Sequence, residues 1–237
     1  MTGIAIAFDV GTLEEALALD ERIGPGPEIA KVGLELFTAA GPDAVRMLRQ
    51  RGRRVFLDLK LHDIPNTVRG AAAAASRLGA ELLTVHAMGG GEMLRAAVSG
   101  VAEGGGETAV IAVTVLTSIH PHDAPPGFAN PLSTATVVPE LLELAERSGA
   151  RGIVCAVPDL AGLRLAHPAP FFAVTPGIRP EGAPAHDQKR VATLAEAVRA
   201  GSSLAVLGRA VTAAADPRSA LAAARAERDA AAALAQL

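Results

Sequence analysis

The chain has 237 residues, half of them hydrophobic, which is the size of one domain with a substantial core. Its net charge of −3 and pI of about 6.1 give no electrostatic basis for binding nucleic acid. Cys155 is the only cysteine, which rules out a disulfide within the sequence. We find no signal-peptide pattern and no uncharged apolar stretch of about 18 residues, so we expect a cytoplasmic protein.

Short apolar runs alternate with longer, Ala-rich runs along the chain. The short runs predict eight β-strands, at residues 4–9, 29–33, 55–60, 82–86, 109–116, 152–156, 171–174 and 204–207. The runs between them predict helices at residues 13–22, 41–51, 65–78, 91–103, 133–148, 159–165 and 189–200, with an eighth after Gly208. Two longer loops are expected, at residues 117–132 and 175–188.

Strands that are almost entirely apolar and alternate with helices predict a parallel sheet covered by those helices. Eight such units in a chain of this length favour a closed barrel over an open, doubly wound sheet. We therefore predict an α/β fold in which residues 1–237 form one (β/α)8 TIM-barrel catalytic domain. In such barrels the active site lies at the carboxyl ends of the strands.

Polar residues occur at that end of most predicted strands. They are Asp9, Lys31, Asp58, Lys60, His86, Thr117, Ser118, Arg179 and Arg209, the last of which follows Gly208. Gly208 and Arg209 follow the eighth strand at a predicted helix start, and the loops after strands seven and eight commonly hold a phosphate. Arg179 lies in a Gly-rich loop and is placed to add a second positive charge from a movable lid.

The most informative segment is residues 58–68, with the sequence DLKLHDIPNTV. Because side chains alternate along a strand, Asp58 and Lys60 should point the same way, with Asp63 just beyond. A lysine between two carboxylates indicates a proton-delivery device, although Asp-x-Lys alone is equally compatible with a structural ion pair. The full pattern Asp-x-Lys-x-x-Asp-Ile-Pro-Asn-Thr resembles the signature of bacterial orotidine 5′-phosphate decarboxylases.

The resemblance covers almost the whole chain. Further motifs occur in the family's order and at its approximate spacing: Phe8-Asp9, Lys31-Val32-Gly33, Val115-Leu116-Thr117-Ser118, Thr175-Pro176-Gly177-Ile178-Arg179-Pro180, Asp187-Gln188-Lys189-Arg190 and Gly208-Arg209-Ala210. The resemblance implies conversion of orotidine 5′-monophosphate to UMP and CO2, the last step of de novo pyrimidine nucleotide synthesis, without a cofactor or a metal.

The resemblance also implies roles for individual residues. Lys60 would protonate C6 of the pyrimidine, and Asp58 would face the substrate carboxylate while holding the lysine. Asp63 and Thr67 would enter the active site of a neighbouring subunit, which implies a homodimer with shared sites. Their four-residue spacing predicts that both lie on one face at a helix start.

The remaining implied contacts are with the ribose, the pyrimidine and the phosphate. Asp9 and Lys31 would contact the ribose hydroxyls, and Thr117 and Gln188 would contact the pyrimidine. The phosphate would be held by Arg179, Gly208 and Arg209.

Two other functions are compatible with parts of this pattern. Mg²⁺-dependent 3-keto-gulonate 6-phosphate decarboxylases and hexulose-phosphate synthases resemble the chain in Asp-x-Lys-x-x-Asp, but they need a carboxylate at the end of strand two. This chain has Lys31 there, although Glu35 lies nearby. A non-catalytic barrel that binds a phosphate ligand would be expected to have lost Lys60 or Asp58, and both are present.

Overall fold

The computed structural model describes residues 1–124, 129–167, 170–180 and 190–235. In these ranges eight parallel strands form a closed barrel in chain order, and the last strand pairs with the first. The strands are β1 Gly3–Ala7, β2 Ile29–Gly33, β3 Arg54–Leu61, β4 Leu82–His86, β5 Ala109–Val113, β6 Gly152–Val154, β7 Phe172–Ile178 and β8 Leu204–Leu207. The predicted α/β barrel is confirmed.

Helices surround the barrel in the same ranges, and none of them is long and apolar enough to cross a membrane. They are α1 Leu13–Ile23, α2 Leu34–Ala40, α3 Pro42–Gln50, α4 Pro65–Arg77, α5 Gly90–Gly104, α6 Thr134–Arg147, α7 Val157–Ala166, α8 Leu194–Arg199, α9 Arg209–Thr212 and α10 Pro217–Leu234. Short 3-10 turns lie at Ala87–Gly89 and Pro121–Asp123.

Several strand ends differ from the sequence prediction. β1, β5 and β6 end earlier than predicted, so the polar residues after them lie on loops at the barrel mouth. β7 instead continues to Ile178, beyond the predicted end at Val174. Pro176 and Gly177 suggested a turn, but Gly177 adopts a positive φ of 78° within a locally shifted register, and the buried Ile178 still pairs with β8.

The helix bounds differ where capping decides them. α8 begins at Leu194 and not at residue 189, because the Thr193 hydroxyl accepts a hydrogen bond from the Glu196 N–H and the Glu196 carboxylate accepts one from the Thr193 N–H. α2 was not predicted, since it follows β2 directly without a side-chain cap. The predicted eighth helix is the single turn α9 followed by the long α10, which Asp216 caps.

The core has two layers. One lies between the strands and the surrounding helices. The other fills the barrel interior with side chains from every second position, among them Phe56, Ile111 and Val174. Because this inner layer closes the barrel axis, the open space that remains lies at the carboxyl ends of the strands.

Candidate active site

A cavity of about 730 Å³ opens at the carboxyl ends of the strands. Predicted site residues from six parts of the chain line it: Asp9, Lys31, Asp58, Lys60, Thr117, Arg179, Gly208 and Arg209. Ser118, Glu35 and Cys155 also line it. A volume of this size is typical of sites for small organic ligands.

Four charged side chains form a row on one wall of the cavity, with carboxylates and ammonium groups in alternation. Lys31 Nζ donates to Asp9 Oδ1 at 2.9 Å and lies 3.6 Å from Asp58 Oδ2. Lys60 Nζ donates to the same Asp58 oxygen at 2.8 Å. Asp58 and Lys60 thus lie on the same side of β3, and Asp58 is shared by both lysines.

The Asp58 carboxylate is buried, yet it stays ionised. Burial by itself raises the pKa of Asp58, because a charged group loses its hydration. The positive charges of Lys31 and Lys60, with hydrogen bonds from Lys60 and Thr84, outweigh burial and hold that pKa below its usual range. The site therefore presents a fixed negative charge beside an ammonium group.

Thr84, in the middle of β4, completes this arrangement. Its fully buried hydroxyl donates to Asp58 Oδ1 at 2.9 Å and accepts from the Lys60 backbone N–H at 2.9 Å. Lys60 has a φ of 49°, in the left-handed region that costs an L-residue about 1–2 kcal/mol. Sequence reasoning missed Thr84, since threonine is common in strands without any functional role.

Asp63 and Thr67 do not line the cavity of their own chain. The exposed Asp63 carboxylate accepts a hydrogen bond from the Ile64 N–H, and within the described ranges it forms no ion pair with Lys60. Only Thr67 lies in α4, which begins at Pro65, so the prediction that both residues share a helical face is wrong. Gln188 lies outside the described residues.

The predicted phosphate residues lie together at another part of the rim. An added Cβ at Gly208 would approach only Ala7, at 4.0 Å, so the backbone is open towards the cavity. Arg179 is not on a free loop, because its backbone N–H donates to the Ala192 carbonyl at 2.9 Å directly after β7. The helix start at Arg209 is a single turn and adds little dipole of its own.

A half-buried ion pair supports the wall that carries Thr117. Arg190 pairs with Asp159 in the first turn of α7. Arg190 Nη2 also donates to the carbonyls of Val115 and Leu116, at 2.9 and 3.2 Å. The guanidinium therefore fixes the backbone just before Thr117, which the sequence analysis did not anticipate.

Two other titratable residues near the site are held neutral. Burial, followed by the nearby Asp159 charge, raises the pKa of Cys155 to about 12, so its thiol is an uncharged part of the cavity wall. Burial, followed by the charges of His62 and Lys60, lowers the pKa of His86. The His86 ring lies 5.3 Å from the His62 ring and is not among the cavity-lining residues.

The comparisons with known proteins agree with this geometry. The model of the orotidine 5′-phosphate decarboxylase / HUMPS family matches residues 2–224. The chain belongs to this family. The family match spans every strand of the barrel and all cavity-lining residues.

Relatives within the family are similar over almost their full length. The orotidine 5′-phosphate decarboxylase of Anaeromyxobacter sp. (strain K) is 51% identical over 220 residues, or 92% of this chain and 94% of that protein. The enzyme of the same name from Synechococcus sp. (strain WH7803) is 48% identical over 225 residues, with 93% and 92% covered. The crystal structure of orotidine 5′-phosphate decarboxylase from Lactobacillus acidophilus superposes with a TM-score of 0.84 at 36% identity, and covers 97% of this chain and 100% of that one.

We predict a pH dependence of stability from the lowered pKa of Asp58. A carboxylate with a lowered folded-state pKa stabilises the fold above its unfolded pKa, about 3.9, and this contribution is lost as the pH falls through the folded value. The free energy of unfolding of the wild type minus that of Asp58→Asn should therefore decrease from about pH 5 to about pH 3 in urea denaturation.

The exposed, ion-paired Asp43 provides the matched control. Asp43→Asn should change the free energy of unfolding by less than about 1 kcal/mol throughout this range. A difference for Asp58→Asn that grows as the pH falls would contradict the assigned direction of the pKa.

Proposed function

We propose that the chain is a carboxy-lyase that converts orotidine 5′-monophosphate to UMP and CO2 in pyrimidine nucleotide synthesis. The observation that carries this proposal is the Lys60 ammonium, held 2.8 Å from an ionised, buried Asp58 in a cavity of nucleotide size. A family match over residues 2–224 and relatives of that name at 46–51% identity support it.

The proposed reaction breaks the bond between pyrimidine C6 and the substrate carboxylate. The electron pair of that bond remains on C6, and CO2 leaves. Lys60 Nζ stabilises the developing carbanion and then gives it a proton, which forms the C6–H bond of UMP. Asp58 keeps the ammonium group aimed at C6 and places a negative charge near the carboxylate that is to leave.

Magnitudes indicate which of these effects dominates. Two like charges about 4 Å apart repel by roughly 4 kcal/mol at an effective dielectric constant near 20. Relief of that repulsion would accelerate the reaction by about three powers of ten. Decarboxylation without a cofactor needs its activation free energy lowered by far more, on the order of 20 kcal/mol. Most of the acceleration must therefore come from Lys60, preorganised in a site that excludes water.

The row of charges suggests how the rest of the substrate binds. Asp9 and Lys31 form one end of the row and would hold the ribose hydroxyls. Thr117, on the wall that Arg190 supports, would contact the pyrimidine, and Gln188 is assigned to it by resemblance alone. The phosphate would be bound at the rim that follows β7 and β8, by Arg179, Arg209 and the open backbone of Gly208.

We also propose a homodimer with shared active sites. Asp63 and Thr67 are exposed and lie beside Ile64, a large apolar residue that is 66% exposed. In a dimer this segment would reach the partner's cavity and bring Asp63 near its Lys60. The cytoplasmic location remains a prediction, supported by the single cysteine that excludes an intrachain disulfide.

A direct assay tests the proposed activity. Purified protein mixed with orotidine 5′-monophosphate should change the pyrimidine ultraviolet band, and added EDTA should leave the rate unchanged. Lys60→Ala should lower turnover by many powers of ten, because Lys60 is the residue assigned to stabilise and protonate C6, while its circular dichroism spectrum stays that of the wild type. Loss of activity in EDTA would instead favour the Mg²⁺-dependent alternative, and no turnover at all would favour a non-catalytic phosphate-binding barrel.

Hybrid dimers test the shared site. Lys60→Ala and Asp63→Ala should each be inactive alone. In an equimolar mixture about half of the dimers contain one chain of each kind, and one of the two sites in such a dimer carries neither change. The mixture should therefore regain about one quarter of wild-type activity. A mixture of Lys60→Ala with Asp58→Ala is the control and should stay inactive, because both residues come from one chain. With subunit exchange verified by differently tagged copies, absence of recovery in the first mixture would refute the shared site.

Truncated substrate tests the phosphate assignment. Arg179→Ala should lower kcat/KM for orotidine 5′-monophosphate by roughly 10- to 100-fold, the typical effect of losing one charge-assisted hydrogen bond. With orotidine, which lacks the phosphate, the defect should largely disappear. Arg147→Ala, in the exposed last turn of α6, should change neither rate. Equal defects of Arg179→Ala on both substrates would show that Arg179 does not bind the phosphate.

A further inference from the structure

The pairing of β3 with β4 is irregular at the residues proposed to be catalytic. Leu57 pairs with Leu83, and the next pair is Leu61 with Val85. Three residues of β3, namely Asp58, Leu59 and Lys60, therefore lie opposite the single residue Thr84 of β4. Such a bulge interrupts the backbone hydrogen bonds between two strands and redirects the side chains of the bulged strand.

The Thr84 hydroxyl takes over bonds that a regular ladder would supply. It accepts from the Lys60 N–H, which the bulge has removed from the β4 carbonyls, and it donates its own proton to Asp58 Oδ1. A hydroxyl has one proton to donate and two lone pairs, so a single buried side chain satisfies both groups. Thr84 is fully buried, and removal of its hydroxyl would leave the Lys60 N–H and Asp58 Oδ1 each with one hydrogen bond fewer.

The hydrogen bond from Lys60 to Thr84 lies at a residue with a left-handed backbone conformation. Among the residues that the structure describes, Lys60 is the only non-glycine residue with a positive φ. A strained backbone of this kind persists only when surrounding contacts hold it. The Lys60 N–H donates to the Thr84 hydroxyl at this strained position, and Lys60 Nζ donates to Asp58 Oδ2.

We propose that Thr84 is a positioning residue, which acts through Asp58 and Lys60 and does not touch the substrate. Its hydroxyl fixes the bulge so that the Lys60 ammonium group and the Asp58 carboxylate keep their relative orientation. This inference rests on the proposed function for its kinetic consequence, but its structural content is independent of the reaction. It assigns to β4 a part in the active site, although no residue of β4 is among those that line the cavity.

The kinetic test removes the hydroxyl at constant shape. Thr84→Val should lower kcat for orotidine 5′-monophosphate by about 10- to 100-fold, since an ionised group and a strained N–H both lose a hydrogen bond. KM should change by less than about threefold, because groups that bind the ribose and phosphate are not disturbed. Thr84→Ser retains the hydroxyl and should keep kcat within about threefold of the wild type.

Thr108 provides the matched control. It is a buried threonine just before β5, its hydroxyl donates to the Ala80 carbonyl, and it does not line the cavity. Thr108→Val should lower the free energy of unfolding but leave kcat within about twofold of the wild type. A merely structural role for Thr84 would make the two valine variants alike in kcat.

A crystal structure of Thr84→Val gives a second measurement, independent of activity. We expect Lys60 to leave the left-handed region, or Lys60 Nζ to move out of hydrogen-bond distance of Asp58. If the valine variant does not fold, Thr84→Ala removes the same hydroxyl with less bulk. Failure of both to fold while Thr84→Ser folds would assign the hydroxyl to stability alone and overturn the inference.

The outcomes separate this inference from the proposed function. A wild type without turnover refutes the function, and the structure of Thr84→Val then decides the inference by itself. An active wild type with an equally active, folded Thr84→Val refutes the inference and leaves the function intact. Equal losses of kcat in Thr84→Ser and Thr84→Val would likewise refute it, because the hydroxyl would then not be the cause.

Discussion

Two carboxylates and two ammonium groups meet on one wall of the barrel mouth, and each is tolerated there because the others neutralise it. Asp58 and Lys31 are both buried, and an isolated buried charge would lose several kcal/mol of hydration. Neighbouring charged atoms in the row lie 2.8–3.6 Å apart, and their ion pairing and hydrogen bonding compensate for the lost hydration. Asp58 links the row, because it is the carboxylate that both lysines approach, and its removal would take an ion-pair partner from each of them.

The closed barrel is what brings the members of this row together. They come from consecutive parallel strands, whose register places Ala7 beside Lys31 and Gly33 beside Asp58. The regular backbone pairing of β1 with β2 and of β2 with β3 fixes the spacing of these positions along the barrel mouth. Between β3 and β4, the bulge opposite Thr84 departs from the regular register, and it does so at Lys60, whose ammonium group lines the cavity.

The eight strands, their closed barrel and most of the charged and polar residues that line the cavity could be predicted from sequence, because apolar runs and strand-end polar residues are local patterns. The end of β7 could not, since Pro176 and Gly177 are typical of turns and only the buried Ile178 shows that pairing continues. The Arg190–Asp159 pair joins residues 31 apart and has no local pattern at all. The hydrogen bonds of Thr84 depend on a register shift between β3 and β4, and the periodicity of a single sequence does not indicate such a shift.

Cys155 gives the chain a built-in probe of motion at the barrel mouth. The thiolate is the form of cysteine that attacks alkylating reagents, and the Cys155 side chain is both buried in the cavity wall and protonated, with a pKa of about 12. Cys155 should therefore stay unmodified for as long as the wall after β6 remains closed. The rate of its alkylation measures how often that wall opens. Because the rest of the sequence contains no other cysteine, a single engineered surface cysteine would carry a fluorophore selectively without removal of the native one.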